Sequence, residues 1–180
     1  MPGQFLIDNP NLIKLVGVRN RETGEAISEA EITVTVCPKA SVREIEDFEL
    51  LGGGTCKLKA TAHGLTTGDQ IYIAHCVGAR ECNGAQTVTV LDADWFTPDG
   101  VEPSTDYVQD GIFYSALTGL HALAFTPSGE GVYVATAARS VEFISGQAYL
   151  AFFDCATIGA ECHVEGVYLA GHRLLNSVLG

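Results

Sequence analysis

Apolar residues recur along this chain in short runs of period two, spaced about 8–12 residues apart and broken by glycine, proline and asparagine, the pattern of an all-β sandwich or barrel. The cleanest run puts Ile32, Val34 and Val36 on one face and Glu31, Thr33 and Thr35 on the other, because successive strand side chains point to opposite sides. It predicts a half-buried strand ended by Pro38, whose ring offers no ladder N–H. Residues 12–18, rich in Leu, Ile and Val, read as an earlier strand and lead into the turn-forming Asn20-Arg21-Glu22-Thr23-Gly24. Further strands are expected at 112–114, 120–125, 131–136, 147–153 and 164–169, with turns at Pro127-Ser128-Gly129, Ser145-Gly146 and Ile158-Gly159. One short helical turn is expected near 42–48.

With 180 residues, the chain is read as two small domains, each burying a modest share of its surface. Its 22 acidic and 10 basic residues give a net charge of -12. A field of that sign repels phosphate backbones and anionic lipid, so neither nucleic acid nor membrane is expected as a partner. A hydrophobic fraction of 47%, a charged fraction of 18% and a mean hydropathy of +0.19 imply a folded chain with apolar surface left to meet a partner. No apolar run nears the roughly 20 residues of a membrane span. Met1-Pro2-Gly3-Gln4-Phe5 lacks a basic start and an apolar core, so no secretory signal is expected and synthesis is read as cytosolic.

Residues 1–10, with Pro2, Gly3 and Pro10, read as an N-terminal arm that orders against a neighbour. An acidic stretch with Glu44, Glu46, Asp47 and Glu49, followed by Gly52-Gly53-Gly54, marks a crossing point. Beyond it, Leu58 and Ala60, Ile71 and Ile73, and Val88 and Val90 are strand-periodic pairs, a pattern that fits a barrel of about five short strands. The flanking β segments are each too short to close a sandwich. Together they make one Ig-like sandwich with the barrel inserted at a loop tip. The expected division is therefore 1–10 arm, 11–50 with 104–180 sandwich, and 51–103 barrel.

Two resemblances support that division. Ala62-His63-Gly64-Leu65-Thr66-Thr67-Gly68-Asp69-Gln70-Ile71-Tyr72-Ile73, then Asn83-Gly84, then Val90-Leu91-Asp92-Ala93-Asp94-Trp95-Phe96-Thr97, resembles a small β-barrel module of phage virion proteins. The module is named after the first catalytic-cysteine half domain of ubiquitin-activating enzymes, and the resemblance implies a structural role. Asn11-Leu12-Ile13 through Gly17-Val18, Thr23-Gly24 and the run 30–36, with Gly129-Glu130-Gly131-Val132-Tyr133 and Gly146-Gln147-Ala148-Tyr149, is similar to small Ig-like phage structural proteins. The extra cysteines, and the loop between Cys76 and Cys82, depart from both patterns.

The six cysteines include no Cys-x-x-Cys pair, which disfavours a zinc ribbon or a thioredoxin-like motif. Cys76 and Cys82 flank a five-residue gap, poor zinc spacing. A local disulfide there is the preferred reading, formed after release into an oxidising medium. Cys155 and Cys162 bridge across a hairpin if their Cα atoms come within about 7 Å. Cys37 and Cys56 read as small buried apolar side chains, with a bond between subunits as the alternative. No histidine among His63, His75, His121, His163 and His172 is ordered into a triad with a thiol, and His63 is expected to hydrogen-bond backbone in its turn. Asp92, Asp94 and Asp99 lack the Gly and Glu offsets of a calcium loop and read as carboxylates capping a turn.

No catalytic residues, metal or cofactor are expected. The function expected is that of a non-enzymatic bacteriophage virion structural protein, a capsid decoration or head, neck or tail assembly component. It would be homo-oligomeric and partnered by other virion proteins. The alternative is a carbohydrate- or receptor-binding module stacking sugars on Trp95, Phe96, Tyr107 or Tyr114. A cysteine hydrolase is the third reading.

Overall fold

The computed structural model describes residues 3–6, 10–16, 18–20, 23–104, 111–121, 123–124, 126–129, 131–155 and 163–171. In chain order the strands are β1 (Gly3–Leu6), β2 (Asn11–Val16), β3 (Ile32–Pro38), β4 (Arg43–Glu44), β5 (Asp47–Leu50), β6 (Cys56–Lys59), β7 (Gln70–Ala74) and β8 (Gly84–Val90). They continue as β9 (Trp95–Pro98), β10 (Ile112–Ser115), β11 (Leu123–Ala124), β12 (Thr126–Gly129), β13 (Val132–Ala137), β14 (Ala148–Cys155) and β15 (His163–Gly171). Among the described residues there is no α-helix, only single 3-10 turns at Lys39–Ser41 and Arg80–Cys82. The fold is all-β, a β-sandwich with a barrel-like part.

Two compact units divide the chain: Met1–Val36 with Gly119–Gly180, and Cys37–Thr118. The first holds a five-stranded sheet, β1-β15-β14-β3-β11, and a three-stranded sheet, β12-β13-β2. In β2 the burial alternates strictly, with Asn11, Ile13 and Leu15 inward and Leu12, Lys14 and Val16 outward, as its sequence dictates. β3 departs from that rule. Thr33 is exposed as expected, but Thr35 is fully buried and its hydroxyl has no partner among the described residues. Tyr133 of β13 is also fully buried; its hydroxyl accepts the Ala30 N–H at 2.8 Å and donates to the Ile27 carbonyl at 2.8 Å. The arm expected at 1–10 supplies a strand, β1, which pairs parallel to β15.

The second unit is a curled seven-stranded antiparallel sheet, β4-β10-β7-β8-β9-β6-β5, forming a half-barrel. Its core gathers Leu58, Ile71, Ile73, Val88, Phe96 and Phe113, with Cys56, Cys76 and Cys82 among them. Phe113 meets Phe96 edge to face at 5.3 Å between centroids, a favourable aromatic geometry. This unit is wider than 51–103. The acidic stretch contributes β4 and β5 instead of a helical turn, because Phe48 and Leu50 alternate with Asp47 and Glu49 and pair in register with Leu58 and Cys56. The segment 112–114, expected in the sandwich, pairs with β7 here, Phe113 opposite Ile73. Likewise 127–129, expected as a turn, lies in β12, paired to β13 with a register shift between Pro127 and Gly129, an irregularity that accommodates proline in an edge strand.

Candidate functional site

Alternation along β6 turns Cys56 and Leu58 into the half-barrel while Lys57 and Lys59 stay partly exposed. Cys82 closes the 3-10 turn before β8, and Cys76 follows the end of β7. All three thiols are buried, 1%, 0% and 3% exposed respectively. The sulfurs in hydrogen-bond contact are those of Cys56 and Cys82, 3.8 Å apart across 26 positions of sequence. Cys76 and Cys82, expected to bridge, are free thiols. Their loop is closed instead by Asn83, whose side-chain Oδ1 accepts the Cys76 N–H at 2.9 Å and whose Nδ2 donates to the Cys76 carbonyl at 3.2 Å. That amide clip does the work of a local staple and leaves Cys82 turned toward β6.

Electrostatics separates these thiols. Burial pushes Cys76 up to about 11, with the nearby Cys56 sulfur adding to the shift. The hydrogen bond between the two sulfurs lowers Cys56 below the usual thiol value despite its burial. The same bond, with burial, pushes Cys82 up. Cys37 is also fully buried and raised to about 12 by desolvation, the state of a small inert apolar side chain. Cys155 is a half-buried free thiol, and its expected partner Cys162 lies outside the described residues.

The acidic corner is occupied by its own backbone. Asp92 Oδ1 accepts the N–H groups of Asp94 and Trp95 at 2.8 and 2.9 Å, and Asp94 Oδ1 accepts that of Ala62 at 2.8 Å. Asp99 Oδ1 accepts the Thr89 hydroxyl at 2.9 Å. His63 Nδ1 accepts the Leu65 N–H at 2.9 Å while Nε2, 3.1 Å from the Asp92 carbonyl, donates to it; this pair of roles assigns the ring proton to Nε2. Asp69 likewise holds Thr66 through its N–H and its hydroxyl, both at 2.8 Å. Asp92 and Asp94 are thus caps, as read from the sequence, and His63 bonds backbone as expected. No group of three or more His, Cys, Asp or Glu among the described residues is arranged to hold a metal.

The aromatic platform is corrected by the structure: Phe96 is fully buried and offers no face to a sugar. β9 alternates, so Phe96 points into the core and the half-buried Trp95 points out, with the Lys57 ammonium 4.2 Å from its ring centroid. Tyr114 is half-buried and Tyr107 lies outside the described residues. A groove of about 350 Å³ runs past Asp69, Gln70, Ser115 and Thr118.

The sandwich unit presents a different feature. β2 is the edge strand of the three-stranded sheet, and Leu12 and Val16 on its outer face are 69% and 61% exposed, with Lys14 between them. Across the ladder they sit opposite Thr136 and Val132 of β13. Sequence reasoning placed the strand but did not mark its outer face, although the alternation of apolar residues on both faces of 11–16 was the available signal. The Cys56 to Cys82 contact carried no such signal, since nothing in a linear spacing of 26 residues announces it.

No protein-family model matches the chain, and no match was found among curated proteins.

Proposed function

We propose that this chain is a non-enzymatic structural protein of a bacteriophage virion, a capsid decoration or head, neck or tail assembly component made in the host cytoplasm. The observation that carries the reading is β2, an edge strand of its sheet among the described residues, with a solvent-facing apolar pair, Leu12 and Val16. A neighbouring virion protein can add a strand there and bury that pair, main-chain hydrogen bonds supplying affinity and the side chains register. A symmetric lattice multiplies such contacts, so each can be weak. The polar side chains of the half-barrel support the same reading, because His63, Asp69, Asp92 and Asp94 are engaged in holding turns.

A reconstruction of intact particles tests it. The expected result is density for the chain at every equivalent lattice position with β2 against a neighbour, and loss of attachment by Leu12→Lys/Val16→Lys protein of unchanged circular dichroism. Particles that lack the chain, or purified protein that turns over a substrate or binds a glycan array, would overturn it.

A further inference from the structure

We propose that Cys56 and Cys82 form a covalent modification site: a thiol pair that closes into an intrachain disulfide, with a low-molecular-weight disulfide as the oxidant. Three observations meet there. The two sulfurs are in contact at 3.8 Å, and a disulfide of about 2.05 Å brings them roughly 1.8 Å closer. The third thiol of the core, Cys76, is fixed at its backbone by Asn83, which separates the roles of the three cysteines. Cys56 also begins β6, beside β5 at the sheet edge, the part of the sheet whose opening exposes a buried sulfur with least disruption.

The chemistry balances with glutathione disulfide. In the opened state the Cys56 thiolate attacks one sulfur of the oxidant, breaking its S–S bond, and one glutathione thiolate leaves. The Cys82 sulfur then attacks Cys56 Sγ, the mixed disulfide breaks, and a second glutathione leaves. Two protein thiols are oxidised, one small disulfide is reduced to two thiols, and the two protein protons pass to the departing thiolates. The bond would tie the start of β6 to the turn that enters β8. It forms independently of whatever the protein assembles with.

Tryptic mapping reads the pairing directly, because cleavage after Arg43, Lys57, Lys59, Arg80 and Arg139 puts Cys56 in peptide 44–57, Cys76 in 60–80 and Cys82 in 81–139. Reduced full-length protein is equilibrated with glutathione disulfide, with and without subdenaturing urea to speed opening, then acid-quenched, alkylated and digested without reductant. The expected product is 44–57 joined to 81–139, with loss of two hydrogens and with 60–80 recovered alkylated. Cys76→Ser should leave that link intact, and Cys82→Ser should abolish it. A link from 60–80 to either peptide, stable glutathione adducts on Cys56 or Cys82 without a cross-link, or full alkylation of both after equilibration in urea would each overturn the assignment.

Discussion

The half-barrel and the sandwich hold their connections by different means. In the half-barrel, several polar side chains bond backbone a few residues away: His63 reaches Leu65, Asp92 reaches Asp94 and Trp95, Asp69 reaches Thr66, and Asn83 reaches Cys76, while Asp94 reaches Ala62 across 32 positions. In the sandwich, Tyr133 bonds Ala30 and Ile27 across 103 and 106 positions, and Gly131 packs directly on the backbone of Val18. Short-range clamps form early and cost little loop entropy, whereas the distant ones form only once the sheets have met. The sandwich should accordingly suffer more from a single change at its long-range contacts than the half-barrel does at any one clamp.

The largest expected effect is at Gly131. Its φ is +65°, a left-handed conformation, and an added Cβ would lie 2.6 Å from the Val18 carbonyl oxygen. Val18 N–H also donates to the Gly131 carbonyl at 3.1 Å, so the backbone has little room to shift. Gly131→Ala should cost about 3 kcal/mol from strain and clash together. Urea denaturation measures the loss, and hydrogen exchange should show protection falling more in β2 and β13 than in β7 and β8. A loss below about 1 kcal/mol would break the comparison.

Tyr133→Phe comes next. Deleting one hydroxyl leaves the Ala30 N–H and the Ile27 carbonyl without that partner in a buried setting, an expected cost of about 2 kcal/mol. Equilibrium unfolding of the Phe variant checks it, and a neutral result would mean that water satisfies both groups. The residue also shows what the linear pattern withholds. Alternation made Tyr133 a strand residue and made Ile32, Val34 and Val36 one face, and all three are buried. It could not reveal that Tyr133 reaches 27 and 30, nor that Thr35 is covered from the other side, because both depend on which sheets meet. The half-barrel's corner was legible for the opposite reason: His63 and Asp92 act on turns that their own neighbours define, although the reach of Asp94 to Ala62 across 32 positions was not. Its boundaries were not, since β5 and β10 are assigned by pairing with β6 and β7, and pairing is set by register between distant segments.

The clamps of the half-barrel should each cost less. Asp92→Ala removes an acceptor from two backbone N–H groups on the surface and should destabilise by about 1 kcal/mol, whereas Asp92→Asn, which keeps Oδ1, should recover most of it in the same urea titration. Glu46 gives the pH counterpart. Its carboxylate accepts the Thr61 hydroxyl at 2.7 Å and the Thr61 N–H at 3.0 Å, and these bonds hold it below the usual carboxylate range. A group lowered in this way stabilises the fold above its unfolded pKa, and that contribution is lost as the pH falls through the folded value. Glu46→Gln should therefore lower stability in the neutral region, leave it nearly unchanged below the folded pKa of Glu46, and so flatten the acid limb of a stability curve.

The smallest effect has the opposite sign and sits inside a clamp. Ala62 adopts φ 51° while its N–H donates to Asp94 Oδ1 at 2.8 Å, so the cap holds an alanine in a conformation that L-residues disfavour by roughly 1–2 kcal/mol. Glycine carries no such penalty there but gives the unfolded chain more freedom, worth about 0.4–1 kcal/mol. Ala62→Gly should thus gain about 0.5 kcal/mol as the difference of those terms, read as a small rise in the urea midpoint with an unchanged slope. The gain should vanish in Asp94→Ala protein, where the N–H no longer draws residue 62 into the left-handed region. A gain that persists without Asp94 would mean that the turn glycines set this corner and the carboxylates merely follow it.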